Sequence, residues 1–163
     1  HLSMDILNEI VWYKRNAFPN LSTTRLTASH EDILWAYKGN DKNYTFNYDW
    51  IKETNWKHDS FDKNDTQVRT VWNIPTNKDE SETKYGDHPT QQPLSVIDRI
   101  VKMGSNKGDV VLDPFAGSGT TPAVCKRMGR DCIAIERDRE FYEIMEGRVS
   151  EVEEYTDDSV FDY

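Results

Sequence analysis

Hydrophobic positions are distributed in two different ways along the chain. In the first half, short runs rich in Ile, Val, Trp and Tyr stand between polar, turn-forming segments. "NEIVWYK" at 8–14 and "DILWAYK" at 32–38 predict buried strands. "YTFNYDW" at 44–50 alternates aromatic and polar side chains, which predicts a third, half-exposed strand. Residues 52–84 are polar and turn-rich, interrupted by "TVWNIP" at 70–75, and predict a surface excursion or a small insert.

After Pro93 the period changes. Leu94, Ile97 and Val101, with Ile100 and Met103, recur at helical spacing; Pro93 stands where a first-turn proline is tolerated and Gly104 follows the last turn, so a helix is predicted at 94–103. "DVVLDPF" is a continuous apolar run, "TTPAVCKRMG" a short amphipathic helix closed by Gly129, "DCIAIE" a second apolar run, and 138–150 another helix. Strand, helix, strand, helix, with strands apolar on both faces, predicts an α/β class with a mostly parallel sheet covered by helices.

Composition narrows the partners. The chain has 163 residues, the length of one ordinary domain, and 20 basic against 29 acidic residues give a net charge of −9. That balance disfavours indiscriminate binding to phosphate backbones, so contact with nucleic acid has to be local. From Glu140 to the end only Arg148 stands against nine carboxylates, which reads as a solvated helix running into an acidic tail, 151–163, that need not be ordered. Lys14, Arg15 and Arg25 cluster in an Asn/Pro/Ser/Thr-rich stretch and are the first candidates for a polyanion. The two cysteines, Cys125 and Cys132, have neither a CxxC partner nor a histidine at metal spacing, so no disulfide framework and no metal are expected. With no apolar run of membrane-spanning length, a cytoplasmic setting is the expectation, and no membrane partner.

The densest chemistry is in "DPFAGSGTT" (113–121). Gly117 and Gly119 let backbone approach a ligand at a strand's carboxyl end, and the helix starting near Thr120 points free N–H groups and a positive dipole end into the same space. A phosphate-binding P-loop needs Gly-Lys-Ser/Thr, and Gly119 is followed by Thr120 and Thr121. A dinucleotide turn needs a third glycine where Pro122 stands, which leaves a dinucleotide-dependent oxidoreductase as a remote reading. S-adenosyl-L-methionine accounts for more: Asp113 would face its cationic methionine portion, where a phosphate would be repelled. Glu136 follows Gly117 by nineteen residues, close to the roughly twenty-residue offset of a ribose-binding carboxylate.

"DPFAGSGTT" together with "HPTQQP" (88–93) resembles the amino-DNA methyltransferases that modify adenine N6 or cytosine N4, in particular their permuted β class. The resemblance extends through "LNEIVWYKRNAFPN", "RLTASHEDILWAYKG" and "VWNIP" and so covers nearly the whole chain. It implies a Rossmann-like S-adenosylmethionine-dependent fold, incomplete here, in a single domain over 1–163. It also implies a cofactor pocket of Thr90, Gln91, Asp113, Pro114, Phe115, Ala116, Gly117, Ser118, Gly119, Thr120, Glu136 and Arg137. Where the family has lysine this chain has Gln92, so one positive charge expected near the methionine carboxylate is absent. A target-recognition insert is implied at 40–85, where Lys52, Lys57 and Arg69, with Lys14, Arg15 and Arg25, are candidate contacts to double-stranded DNA. Trp50, Trp56 and Trp72 could stack on bases or form a small hydrophobic cluster. His30 and Glu31 in "SHED" read as structural.

The family presents its target base with an Asp/Asn/Ser-Pro-Pro-Tyr/Phe/Trp tetrad, and no such tetrad occurs here. In the permuted order it precedes "LNEIVWYK", and "HLSMDILNEI" reads as the end of a severed helix, so no catalytic residue is expected in this chain. A missing upstream segment or a second chain would supply the tetrad. A nucleophilic-cysteine mechanism fails, since Cys125 follows Val124 and Cys132 follows Asp131. The expectation is the cofactor-binding and target-recognition part of an adenine N6 DNA methyltransferase, with part of a cytosine N4 methyltransferase or a non-catalytic cofactor-binding subunit as the alternatives.

Overall fold

The computed structural model describes residues 4–22, 24–39, 43–54, 56–63, 65–76, 80–86 and 88–153. The chain divides into two compact units, His1–Thr76 and Asn77–Tyr163, a boundary that falls inside the 40–85 stretch.

The first unit is a three-stranded sheet. Strands β1 (Asp5–Tyr13) and β2 (His30–Tyr37) pair antiparallel, and β3 (Val71–Asn73) pairs parallel to β1, giving the order β2-β1-β3. "DILNEI" is therefore strand and not the end of a helix, because β1 takes the sheet's centre with Ile10 and Trp12 on its buried face, while a register shift between Ile6 and Asn8 leaves Ile6 exposed. Ile10 and Trp12 are buried with Ile51, Trp72 and Ile74. The Trp12 indole N–H donates to the Ile74 carbonyl at 2.7 Å, and Trp72 donates to the Arg69 carbonyl at 2.8 Å. Trp72 is 1 % exposed, so it belongs to the cluster and cannot stack on a base. Trp50 meets Trp56 edge-on at 5.8 Å in the same cluster-forming manner. β2 is an edge strand, and Leu34 faces out, so the prediction of a buried strand is corrected to a half-exposed one.

The strand predicted at 44–50 is absent. Tyr44 and Phe46 instead pack their rings on Trp35 at 5.8 and 4.9 Å, and the chain then turns into α1 (Tyr48–Glu53). The alternation reflects aromatic contacts with the side chains of β2, a period that a ladder and an aromatic cluster share.

The second unit holds α2 (Glu80–Thr83), which has no sequence signal, then α3 (Leu94–Gly104), β4 (Val110–Asp113), α4 (Thr120–Arg127), β5 (Asp131–Ala134) and α5 (Arg139–Glu151). β4 and β5 are parallel, paired from Val110↔Asp131 to Asp113↔Ala134. Val111 and Cys132 pack under Val101 of α3, Val124 and Cys125 of α4, and Met128, which caps α4. The opposite face is bare: Val110, Leu112, Ile133 and Ile135 are each more than half exposed. Strands apolar on both faces are thus covered by helices on one face only, and among the described residues β4 has no partner on its outer edge. Residues 154–163 of the predicted acidic tail lie outside the described residues.

Candidate functional site

The site is built where β4 and β5 end. Asp113 closes β4 and turns its carboxylate back on the chain, accepting the Phe115 N–H at 3.0 Å. The Ile135 N–H donates to the Asp113 carbonyl and the Ala116 N–H to the Ile135 carbonyl, both at 2.9 Å, which ties the turn to the end of β5. Gly117 and Gly119 take φ of +52° and +82°, a region that L side chains avoid. Gly119 is the N-cap of α4 and no side chain caps that end. With Pro122 lacking an N–H, the amides of Thr120 and Thr121 are the donors that open from the helix start. Ala116 to Thr120 are buried, whereas Phe115 projects, 89 % exposed.

Glu136, two residues beyond β5, locks the turn. Its Oε2 accepts the Gly117 N–H at 2.9 Å and its Oε1 the Asp138 N–H at 2.7 Å. The Asp138 amide is the largest influence holding its carboxyl below the ordinary glutamate value; the Gly117 and Arg137 amides and the His88 charge act in the same direction, against desolvation. A carboxylate has about four acceptor positions, so Glu136 can hold the turn and still accept a ligand hydroxyl. Because its pKa is depressed, whatever the charged form contributes is present above the ordinary value and lost only as pH falls through the lower folded value. Glu136→Gln is expected to weaken binding of a ribose-bearing ligand about tenfold at pH 7, the scale of one hydrogen bond to a charged acceptor. Titration calorimetry of wild type at falling pH should show this affinity persisting into the ordinary carboxylate range.

The segment 88–93 lies against the same turn. A Cβ on Gly117 would stand 3.0 Å from the His88 Nε2, and the His88 ring rests on Phe141 of α5 at 4.1 Å. The Thr90 N–H donates to His88 Nδ1 at 3.2 Å. Thr120 Oγ1 donates to the Gln92 carbonyl at 3.2 Å and Ser118 Oγ to Gln91 Oε1 at 3.0 Å. Gln91 uses its other amide end on the Glu82 carbonyl, at 2.9 Å. The fold thus assembles Thr90, Gln91, Asp113, Gly117, Ser118, Thr120 and Glu136 in one place, with Arg137 on the exposed connection to α5. His88 is a contributor that the sequence did not single out, although it opens the "HPTQQP" motif.

Elsewhere, some of the candidate residues have local partners. Lys14 pairs with Glu31 at 2.8 Å, and Arg15 donates to the Asn73 carbonyl at 3.2 Å. Arg25, Lys57 and Arg69 are exposed and Lys52 is half-buried. His30 stands 4.0 Å from Asp32 at the start of β2. Cys125 is fully buried, and burial first, with Cys132 beside it, pushes its thiol up to about 12, which is the opposite of an activated nucleophile. Among the described residues, no group of three or more His, Cys, Asp or Glu is placed to hold a metal, and no helix is long and apolar enough to cross a membrane.

A glycine turn at the end of one parallel strand and a carboxylate at the end of the next, under helices on one face, define part of a Rossmann-like methyltransferase fold. A family model described as DNA methylase, covering the N6 and N4 methyltransferases, matches residues 1–147. The chain belongs to this amino-DNA methyltransferase family. It is 37 % identical over 156 residues to the type II methyltransferase M.HinfI of Haemophilus influenzae, covering 93 % of this chain and 41 % of that protein. It is 40 % identical over 146 residues to M2.LlaDCHI of Lactococcus lactis subsp. cremoris, covering 89 % of this chain and 51 % of that one. Among solved structures, the M1.HpyAVI–SAM complex superposes with a TM-score of 0.68 at 30 % identity, over 90 % of this chain and 63 % of that chain. The chain spans about half the length of the curated relatives it matches.

Proposed function

We propose that these residues form the cofactor-binding and target-recognition portion of a DNA methyltransferase that transfers the methyl group of S-adenosyl-L-methionine to adenine N6. The observation that carries the reading is the pair of carboxylates at adjoining strand ends, Asp113 and Glu136, on either side of a turn that leads into an uncapped helix. The arrangement matches the ligand in three places: a carboxylate for the sulfonium end, an acceptor for the ribose, and open amides with Thr90 for the methionine carboxylate. That M1.HpyAVI is solved as a complex with SAM supports the choice of cofactor. Pro114, Phe115 and Ala116 complete the turn. Double-stranded DNA is the partner, and Arg25, Lys52, Lys57 and Arg69, with Lys14 and Arg15, are the contacts proposed for its backbone.

Methyl transfer to an exocyclic amine requires acceptors that aim the nitrogen lone pair at the sulfonium, in a pocket for an extruded base. We place those acceptors in a segment outside these 163 residues, upstream in the same polypeptide or in a second chain. The absence of the tetrad and the greater length of the relatives support this placement, as do the bare apolar face of β4–β5 and the edge of β4, which is unpaired among the described residues. The test is transfer of labelled methyl groups to duplex DNA by these 163 residues alone and by the chain extended upstream, followed by base analysis. No label is expected from the 163 residues alone, and N6-methyladenine from the extended chain. Label in N4-methylcytosine would move the target to cytosine, and a cofactor-binding but inactive extended chain would favour the non-catalytic subunit.

A further inference from the structure

We propose that Arg148 is a positioning residue for the methyl donor, acting from α5 through Gln91 to set the distance between the 88–93 segment and the glycine turn. The proposal rests on the reading of that turn as the S-adenosylmethionine pocket.

In sequence, Arg148 is the lone cation among nine carboxylates, and a solvated side chain is expected. The structure reverses that expectation: Arg148 is 3 % exposed. One guanidinium nitrogen, Nη2, donates both to the Glu82 carbonyl at 2.7 Å and to Gln91 Oε1 at 2.9 Å. The Tyr85 ring lies 5.7 Å from its Cζ. A buried cation is costly to desolvate, and an apolar side chain of similar volume would hold two packed elements together without that cost. What an apolar residue could not do is orient an amide.

Gln91 is where orientation matters. Its Oε1 accepts from Arg148 and from Ser118 Oγ, which uses both lone pairs, while its Nε2 donates to the Glu82 carbonyl. Flipping the amide would set an NH₂ group against a guanidinium and put Oε1 against a carbonyl, so the charge of Arg148 enforces one orientation. That orientation gives Ser118 its acceptor. Ser118 lies between Gly117 and Gly119, whose positive φ values define the turn, so a shift of Ser118 moves the amides that open from the start of α4. Gln91 also follows Thr90 directly. Arg148 therefore acts on both groups proposed for the methionine carboxylate, whereas Glu136, proposed for the nucleoside end, has no contact with Arg148 or Gln91 and is coupled to them only through the Gly117 amide, so the nucleoside should be affected less.

The test is calorimetric titration of the 163-residue chain with S-adenosylmethionine and with 5′-methylthioadenosine, which lacks the amino-acid end. Arg148→Met is expected to weaken S-adenosylmethionine about tenfold and the nucleoside less than twofold. Arg148→Lys keeps the charge but loses the planar donor geometry, and should weaken S-adenosylmethionine by a smaller factor without a large change in thermal midpoint. Gln91→Leu should match Arg148→Met, and the double variant should be no weaker than either alone. Equal loss for both ligands, tracking the fall in thermal midpoint, would mark a merely structural residue and overturn the proposal. So would unchanged affinity in both Arg148 variants beside a wild type that binds. A wild type that binds neither ligand would instead remove the pocket itself, and this inference with it.

Discussion

Asp113→Ala is expected to reduce S-adenosylmethionine affinity by about 100-fold, or about 2.7 kcal/mol, as measured by titration calorimetry. Two effects combine in that variant. The carboxylate accepts the Phe115 N–H at 3.0 Å and so shapes the first step of the turn. It is also the negative charge that favours a cation-bearing ligand over a phosphate in this position. Asp113→Asn separates the two, because an amide oxygen can accept the same N–H while carrying no charge. An intermediate loss, about tenfold, is expected for Asn if charge and geometry contribute comparably. Unchanged affinity in Asp113→Ala would count against the whole placement of the pocket, whereas a loss in Ala with full retention in Asn would assign the residue to turn geometry alone.

Gly119→Ala should be the most destabilising of the single-methyl additions. Its φ of +82° costs an L residue roughly 1–2 kcal/mol. The new Cβ would stand 2.6 Å from Met145 Cγ and 3.0 Å from Met145 Cα, so α5 backbone has to move as well as a side chain. Overpacking of this kind adds about 1–3 kcal/mol. The sum, about 3 kcal/mol, corresponds to a fall of roughly 10 °C in thermal midpoint for a chain of this size. Gly104→Ala is the internal control: it ends α3 with nothing within 4 Å of the added carbon, and should be neutral or slightly stabilising. A midpoint for Gly119→Ala within 2–3 °C of wild type, about 1 kcal/mol, would show that α5 is not held against the turn as described.

Much of the second unit was legible because its signals are local. Apolar runs at 109–115 and 131–136, a proline before and a glycine at the end of a helical stretch, and two glycines after a strand each constrain backbone within a few residues, and the elements appear close to where those signals put them. The failures have a common cause. Tyr44 and Phe46 alternate as a strand would, but their partners are Trp35 and Tyr37, reached only after the chain folds back. α2 is four residues long and carries no period to detect. "DILNEI" is too mixed to separate a helix end from a strand until its partners on both sides are known.

The order of residue types carries the ligand chemistry proposed for this site: a strand-end aspartate, a glutamate nineteen residues past the turn's first glycine, and no lysine after that turn are facts of order and charge, and order and charge are what a sequence contains. Tertiary structure alone decided which polar groups are already committed. It took Trp72 out of the list of base-stacking candidates by burying it and turned Lys14 and Arg15 toward partners within the chain. It drew Arg148 out of an acidic, apparently solvated helix into the interior behind Gln91. Burial and hydrogen-bond partnership depend on residues that are distant in sequence (57 positions separate Arg148 from Gln91), and no periodicity or spacing along one strand of text encodes contacts made across the fold.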